Sequence, residues 1–150
     1  MLRKKSLLPI NILLADDDID DRAFFEQAIK EISDEIILTM VHDGEQLMEL
    51  LCKKTQLLPD ILFLDLSMPR KNGFECLTEI KENKSLSAMP VVMFSTSYER
   101  DLIYEKSMIE LLYHIGAQAY IRKPDNITQL KQNIEKAMIK HIVKDKHNLQ

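Results

Sequence analysis

The segment Ile61-Leu62-Phe63-Leu64-Asp65-Leu66-Ser67-Met68-Pro69 carries four consecutive apolar residues straight into a carboxylate. Bounded by Pro59-Asp60 before and Met68-Pro69 after, the run reads as a short strand buried on both faces. Its acid then emerges at the carboxyl end of the strand, where open α/β sheets bind their ligands. Alone, Asp65 serves equally well as a turn-forming residue ahead of a loop. The rest of the chain separates the two readings.

Four more apolar runs repeat the pattern of Ile61–Leu64: Ile10 to Ala15, Ile36 to Val41, Val91 to Phe94 and Ala119 to Ile121. Between and after them lie amphipathic stretches, roughly Asp20 to Ile32, Gly44 to Lys54, Phe74 to Asn83, Tyr98 to Ile115 and Ile127 to Ile142. In the last of these, Ile127, Leu130, Ile134, Met138 and Ile142 recur at intervals of three or four, one face of a helix. Strands that alternate with helices imply a parallel sheet. Right-handed crossovers then give a doubly wound α/β layer of helix, sheet and helix, with any site at the strand ends.

The length of 150 residues predicts one domain over 1–150, its core about 10–140 and its ends, 1–9 and 141–150, tails. Apolar residues make up 45% and charged residues 29%, ordinary for a globular protein. A net charge of −4, with no basic stripe interleaved with aromatics, argues against nucleic acid as a partner. Arg3-Lys4-Lys5 followed by Leu7 to Ala15 imitates a secretory signal, but Pro9 and Asn11 interrupt the apolar stretch and acids come directly after it. No window approaches a membrane span, so a cytoplasmic location away from membranes is expected. Cys52 and Cys76 have no second Cys or His at ligand spacing and read as free thiols.

Four of the strands run out into polar residues. Asp16, Asp17 and Asp18 come after the first, Asp65 after the third, Ser95 and Thr96 after the fourth, and Lys123-Pro124 after the fifth. In a doubly wound sheet those strands are neighbours, so acids, hydroxyls and one lysine converge on a single crevice. Like-charged carboxylates that close together either take up protons or recruit a cation. Mg²⁺ suits a site that offers only oxygen ligands. With such a cation on one side and Lys123 on the other, a phosphoryl group on Asp65 would be neutralised from two directions, with Ser95 donating a further hydrogen bond. Phosphoryl transfer requires little else of a protein.

At these residues the chain resembles the receiver domain of the two-component response regulators, over Ile10 to about Lys140. The resemblance implies a five-stranded flavodoxin-like receiver fold, (βα)5, with strand order 2-1-3-4-5. It places the family's acidic pair on Asp16 and Asp17, its phosphoacceptor on Asp65, its switch hydroxyl on Ser95, its switch aromatic on Tyr120 and its phosphate-contacting lysine on Lys123. It further implies metal ligation by Asp17, Asp65 and the carbonyl of Ser67, with Asp16 acting through water, and a cis bond between Lys123 and Pro124. The stretch from Leu64 to Gly73 is similar to single-domain regulators, including those paired with phytochrome-type kinases. The implied partners are a sensor histidine kinase or histidine phosphotransfer protein and a downstream protein target; homodimerisation is expected instead from the fourth amphipathic stretch. The implied activity is self-phosphorylation and dephosphorylation only, without enzymatic action on other substrates.

Two other functions fit less well. A haloacid-dehalogenase-like phosphatase needs a second acid two residues after its nucleophile, where Ser67 stands. A flavodoxin-like cofactor binder needs Gly, Ser or Thr amides after the first strand, where acids stand instead. Asp18, Asp20 and Asp21 read as charges suited to a helix N-terminus. The fourth amphipathic stretch carries two apolar stripes, Tyr104, Met108, Leu111 and Ile115 on one, Leu102, Ile109 and Tyr113 on the other, with Leu112 between. One stripe is expected to pack on the sheet and the other to meet a second molecule.

Overall fold

The computed structural model describes residues 9–53, 57–96 and 102–143. Five strands alternate with five helices: β1 (Asn11–Ala15), α1 (Ile19–Ile32), β2 (Ile37–Val41), α2 (Gly44–Leu51), β3 (Ile61–Leu64), α3 (Gly73–Glu82), β4 (Val91–Ser95), α4 (Leu102–Ile115), β5 (Ala119–Arg122) and α5 (Ile127–Met138). A π-helical turn, Ile139–Val143, prolongs α5. All four pairings are parallel, in the order β2-β1-β3-β4-β5. This is the doubly wound arrangement expected from the sequence.

The period of two along each strand divides the core between the two faces of the sheet. Leu13, Ala15, Leu62, Leu64, Val91 and Met93 meet α2, α3 and α4 through Leu47, Leu77, Ile80, Met108 and Leu112. The intervening residues, Ile12, Leu14, Ile61, Phe63, Val92 and Phe94, meet α1 and α5 through Phe25, Ala28, Leu130 and Ile134. β3 and β4 are buried throughout, which is why they read as unbroken apolar runs. Phe25, Phe63 and Phe94 form three edge-to-face pairs with ring centroids 5.1, 5.7 and 6.2 Å apart, a geometry that favours aromatic contact. The cluster binds α1 to the carboxyl ends of β3 and β4, immediately beneath Asp65 and Ser95.

Side-chain caps set the starts of four helices. Asp18 caps α1, Asp43 caps α2, Asn126 caps α5, and Asn72 with Glu75 forms a reciprocal capping box on α3. α2 ends at Leu51, and Cys52, its C-cap, is exposed, so nothing there holds another turn against the sheet; the expected end at Lys54 lies outside the described residues. The expected tails and the first residues of the fourth amphipathic stretch fall mostly outside the described residues. No helix among the described residues is long and apolar enough to cross a membrane.

α4 departs from the two-stripe expectation. Its buried residues are Glu105, Met108 and Leu112, a face that takes only Met108 from the first stripe and none from the second, while Leu102, Tyr104, Leu111 and Tyr113 are exposed. The cause is Glu105, which accepts from Tyr120 Oη at 3.2 Å and from Arg122 Nε at 3.1 Å and also pairs with Arg122 Nη2. A carboxylate that finds a guanidinium and a phenol on β5 can be buried at small cost, and it turns the helix accordingly.

Candidate functional site

Two backbone hydrogen bonds carry the strand ladder one residue beyond the strands and fix the site acids. Asp16 N–H donates to Val41 O at 3.1 Å, and Asp65 N–H donates to Ala15 O at 2.9 Å. On the far side, Lys123 N–H donates to Ser95 O at 2.8 Å, which continues the β4–β5 pairing. Each chemically distinctive side chain therefore stands at a position set by the sheet register. Asp16, Asp65 and Ser95 are buried; Asp17 is exposed.

Lys123 ends among carboxylates. Its Nζ lies 2.8 Å from Asp16 Oδ2, 2.8 Å from Asp21 Oδ2 and 3.2 Å from Asp65 Oδ2, with the Phe94 ring centroid at 5.8 Å. Burial by itself would pull the ammonium down, but its ion pairs, first with Asp16 and Asp21 and then with Asp65, raise it above the ordinary lysine value. Lys123 is thus charged at every physiological pH. Asp16 is raised by burial, against the opposing pull of Lys123. Asp65 is raised to about 6, again chiefly by burial, with Lys123 opposing and the Asp16 charge adding to the rise.

Ligand oxygens of Asp16, Asp17 and Asp65 lie within 4.8 Å of one another. Asp16 Oδ2, although close to Lys123 Nζ, is not aligned for a hydrogen bond, and it is the buried side-chain oxygen left without one among the described residues. An incompletely satisfied buried carboxylate beside two others fits a hard divalent cation with oxygen ligands. Ser67 comes next in the loop, its N–H donating to Asp65 Oδ1 at 3.3 Å. That loop is shaped by Arg70, whose φ of 69° is left-handed and whose guanidinium faces Asp43 and Glu45 at the start of α2.

The geometry brings Asp16, Asp17, Asp65 and Lys123 into one cluster and sets Ser95 at its edge. Tyr120, half-buried on β5, has its hydroxyl tied to the carboxylate of Glu105 rather than to Asp16, Asp17 or Asp65, and its N–H donates to Tyr113 Oη at 3.1 Å. The bond between Lys123 and Pro124 is trans, against the cis form implied by the resemblance. The trans form is intrinsically favoured by about 0.5–1 kcal/mol before proline, and Lys123 reaches the acids with it. Asp21 is the site residue that sequence pattern alone does not find. Its pattern suits the helix dipole, yet it is the third residue of α1, and helical side chains lean back toward the N-terminus, here toward the strand ends.

Burial pushes the Cys76 thiol up to about 12, so it is inert packing beneath α2, its Sγ 3.7 Å from Gly44 O. Cys52 is an exposed free thiol.

Comparison with known proteins agrees with this architecture. Residues 12–135 match the family described as the response regulator receiver domain. A curated relative, response regulator Rcp1 of Synechocystis sp., is 28% identical over 131 residues, spanning 85% of each chain. Among solved structures, the Mn²⁺-bound form of Rcp1 superposes with a TM-score of 0.73 at 27% identity, covering 87% of this chain and 92% of that one. The phosphorylated cyanobacterial phytochrome response regulator RcpA gives 0.71 at 30%, covering 87% and 91%. Several other curated relatives are longer, and the chain spans only 33% to 58% of their length.

Proposed function

The chain belongs to the response regulator receiver domain family and is a phosphoryl-accepting signalling switch, and on that premise we propose that Asp65 is its acceptor. The observation that carries the assignment is the contact of Asp65 Oδ2 with Lys123 Nζ at 3.2 Å inside a cluster of acids able to hold a divalent cation. Asp65 attacks the phosphorus of a phosphohistidine donor. The new P–O bond forms as the P–N bond breaks, and the electron pair leaves on the imidazole nitrogen. Lys123 sits where it can neutralise one oxygen of the transferred group, and Ser95, at the end of β4, supplies a hydroxyl donor.

Asp16, Asp17, Asp65 and the Ser67 carbonyl would hold Mg²⁺, which when bound offsets the charge of the phosphoryl oxygens. Without that charge the transferred group would meet an acid cluster that repels it. The protein acts on itself, not on a further substrate. Its donor is a sensor histidine kinase or histidine phosphotransfer protein, its location the cytoplasm, and its domain one receiver with its core at about 10–140. Ser95 and Tyr120 form the switch: Ser95 is drawn to the new oxygens, and Tyr120 moves with it by leaving Glu105. Incubation with acetyl phosphate tests the chemistry. One phosphoryl group per chain is expected with Mg²⁺ and none after chelation, and uptake in the absence of any divalent cation would overturn the metal role.

The surface that changes is that of α4. Tyr104 and Leu111, which share one side of the helix, leave an exposed apolar face beside the buried one that carries Glu105. Such a face on a globular domain favours a partner, and a second copy of the chain is the simplest one. Phosphorylated wild type should sediment as a dimer at micromolar concentration, and Leu111→Glu should keep it monomeric. A monomer in both cases would assign the face to a different protein.

A further inference from the structure

We propose that Asp21 is a positioning residue for Lys123: it holds the ammonium away from Asp65, so that the Asp65 oxygen stays free to attack phosphorus. The proposal rests on the reading of Asp65 as acceptor. Three carboxylates compete for one ammonium, and the contacts are unequal, 2.8 Å to Asp16 and to Asp21 but 3.2 Å to Asp65. Asp16 and Asp65 are fixed by the strands. Asp21 is fixed by the first turn of α1, through two independent ties. Asp18 accepts from the N–H groups of Asp20 at 2.8 Å and Asp21 at 3.1 Å, and Arg22 Nη1 donates to Asp16 O at 2.9 Å. The turn is therefore held against the end of β1, and the Asp21 carboxylate reaches Lys123 from α1.

Lys123 offers three N–H donors. With Asp21 present, its two shortest contacts are to acids other than the acceptor. If the Asp21 charge is removed, the ammonium settles toward the carboxylates that remain. A closer Lys123–Asp65 pair occupies the lone pair that must form the P–O bond and lowers the nucleophilicity of the carboxylate. Asp20 is the natural comparison, an acid in the same turn that lies outside the Lys123 contacts.

The sign of the effect separates this role from a general influence of charge. Loss of a negative charge near the site would by itself favour approach of an anionic donor. Loss of positioning slows transfer. At saturating Mg²⁺, Asp21→Asn should reduce the initial rate of labelling by acetyl phosphate about three- to fivefold, in keeping with a partly exposed ion pair, whereas Asp20→Asn should not slow it. In a Lys123→Gln background, Asp21→Asn should cause no further loss. In metal-free protein with isotope-labelled lysine, the side-chain resonance of Lys123, assigned by its disappearance in Lys123→Gln, should shift in Asp21→Asn and stay in place in Asp20→Asn. Equal slowing by Asp20→Asn, an additive loss in the Lys123→Gln background, or an unaltered rate in Asp21→Asn would each overturn the proposal. Wild type that takes up no phosphoryl group would instead remove the acceptor reading, and this role with it.

Discussion

Asp65→Asn should take up no phosphoryl group from acetyl phosphate at any Mg²⁺ concentration and, in metal-free buffer above pH 7, should be more stable than wild type. The first effect arises because an amide oxygen is not a competent nucleophile. The second arises from the position of the Asp65 carboxyl, raised to about 6 in the folded protein from an ordinary 3.8, mainly by burial. A folded state that binds the proton more tightly than the unfolded one is favoured at low pH. The contribution is fully present below about 4 and is lost as pH rises through about 6. Above pH 7 the wild type holds a buried carboxylate whose ionisation works against folding, and asparagine removes that cost, on the order of 1–3 kcal/mol. Thermal melts of both proteins at pH 5 and pH 8, without divalent cation, are the check. The difference between them should widen toward pH 8, and added Mg²⁺ should narrow it by stabilising wild type alone. A variant that is labelled like wild type would end the acceptor assignment. A variant less stable at pH 8 would mean that the Lys123–Asp65 attraction outweighs burial.

The two central strands β3 and β4 were legible because burial on both faces leaves no other sequence. Ile61–Leu64 and Val91–Ser95 are apolar wherever they can be, and each ends at the first residue that must face the site. The starts of α2, α3 and α5 fell within a residue of those read from the amphipathic stretches, and the structure shows what sets them: Asp43, Asn72 and Asn126 satisfy the free N–H groups at the helix ends. The acid cluster was legible from topology, which brings the ends of β1 and β3 together. What the sequence withheld depends on partners far along the chain. Asp21 meets a lysine 102 residues away, and nothing in its neighbourhood distinguishes it from Asp20, which does not. Glu105 inverts the hydrophobic pattern of α4 because Arg122 and Tyr120 receive it, so a charged residue holds a core position that periodicity gives to an apolar one. The conformation of Arg70 is similarly silent, a left-handed residue outside glycine whose support comes from acids on another element.

Gly73→Ala should lower the rate of labelling by about a hundredfold while every ionisable group of the site remains present. A Cβ on Gly73 would stand 2.4 Å from the carbonyl oxygen of Asp65 and 2.7 Å from Leu66 Cα. Both are backbone atoms, and no rotamer change can relieve the overlap. Nor is the start of α3 free to retreat. Gly73 N–H donates to Leu66 O at 2.9 Å, closing the loop onto itself, and the Asn72–Glu75 capping box fixes the first turn. The strain therefore passes into the Asp65–Leu66 peptide, which is the segment that aims the carboxylate at Lys123 and at the metal ligands. Misplacement by about 1 Å is sufficient to cost roughly a hundredfold in transfer, because the attacking oxygen must lie in line with the breaking bond. The accompanying loss of stability is expected at about 1–3 kcal/mol, the range for overpacking a filled interior. Gly116→Ala separates the two effects. Gly116 has a φ of 132°, so alanine is strained there too, but its neighbours are the side-chain atoms of Lys81, whose ammonium donates to Met89 O and Gln118 Oε1 at the amino ends of β4 and β5, opposite the strand ends that carry the acids. That variant should melt earlier and still be labelled at close to the wild-type rate. If Gly73→Ala is labelled normally, the loop after β3 does not position Asp65, and the orientation of the acceptor must be set by the strand and by Lys123 alone.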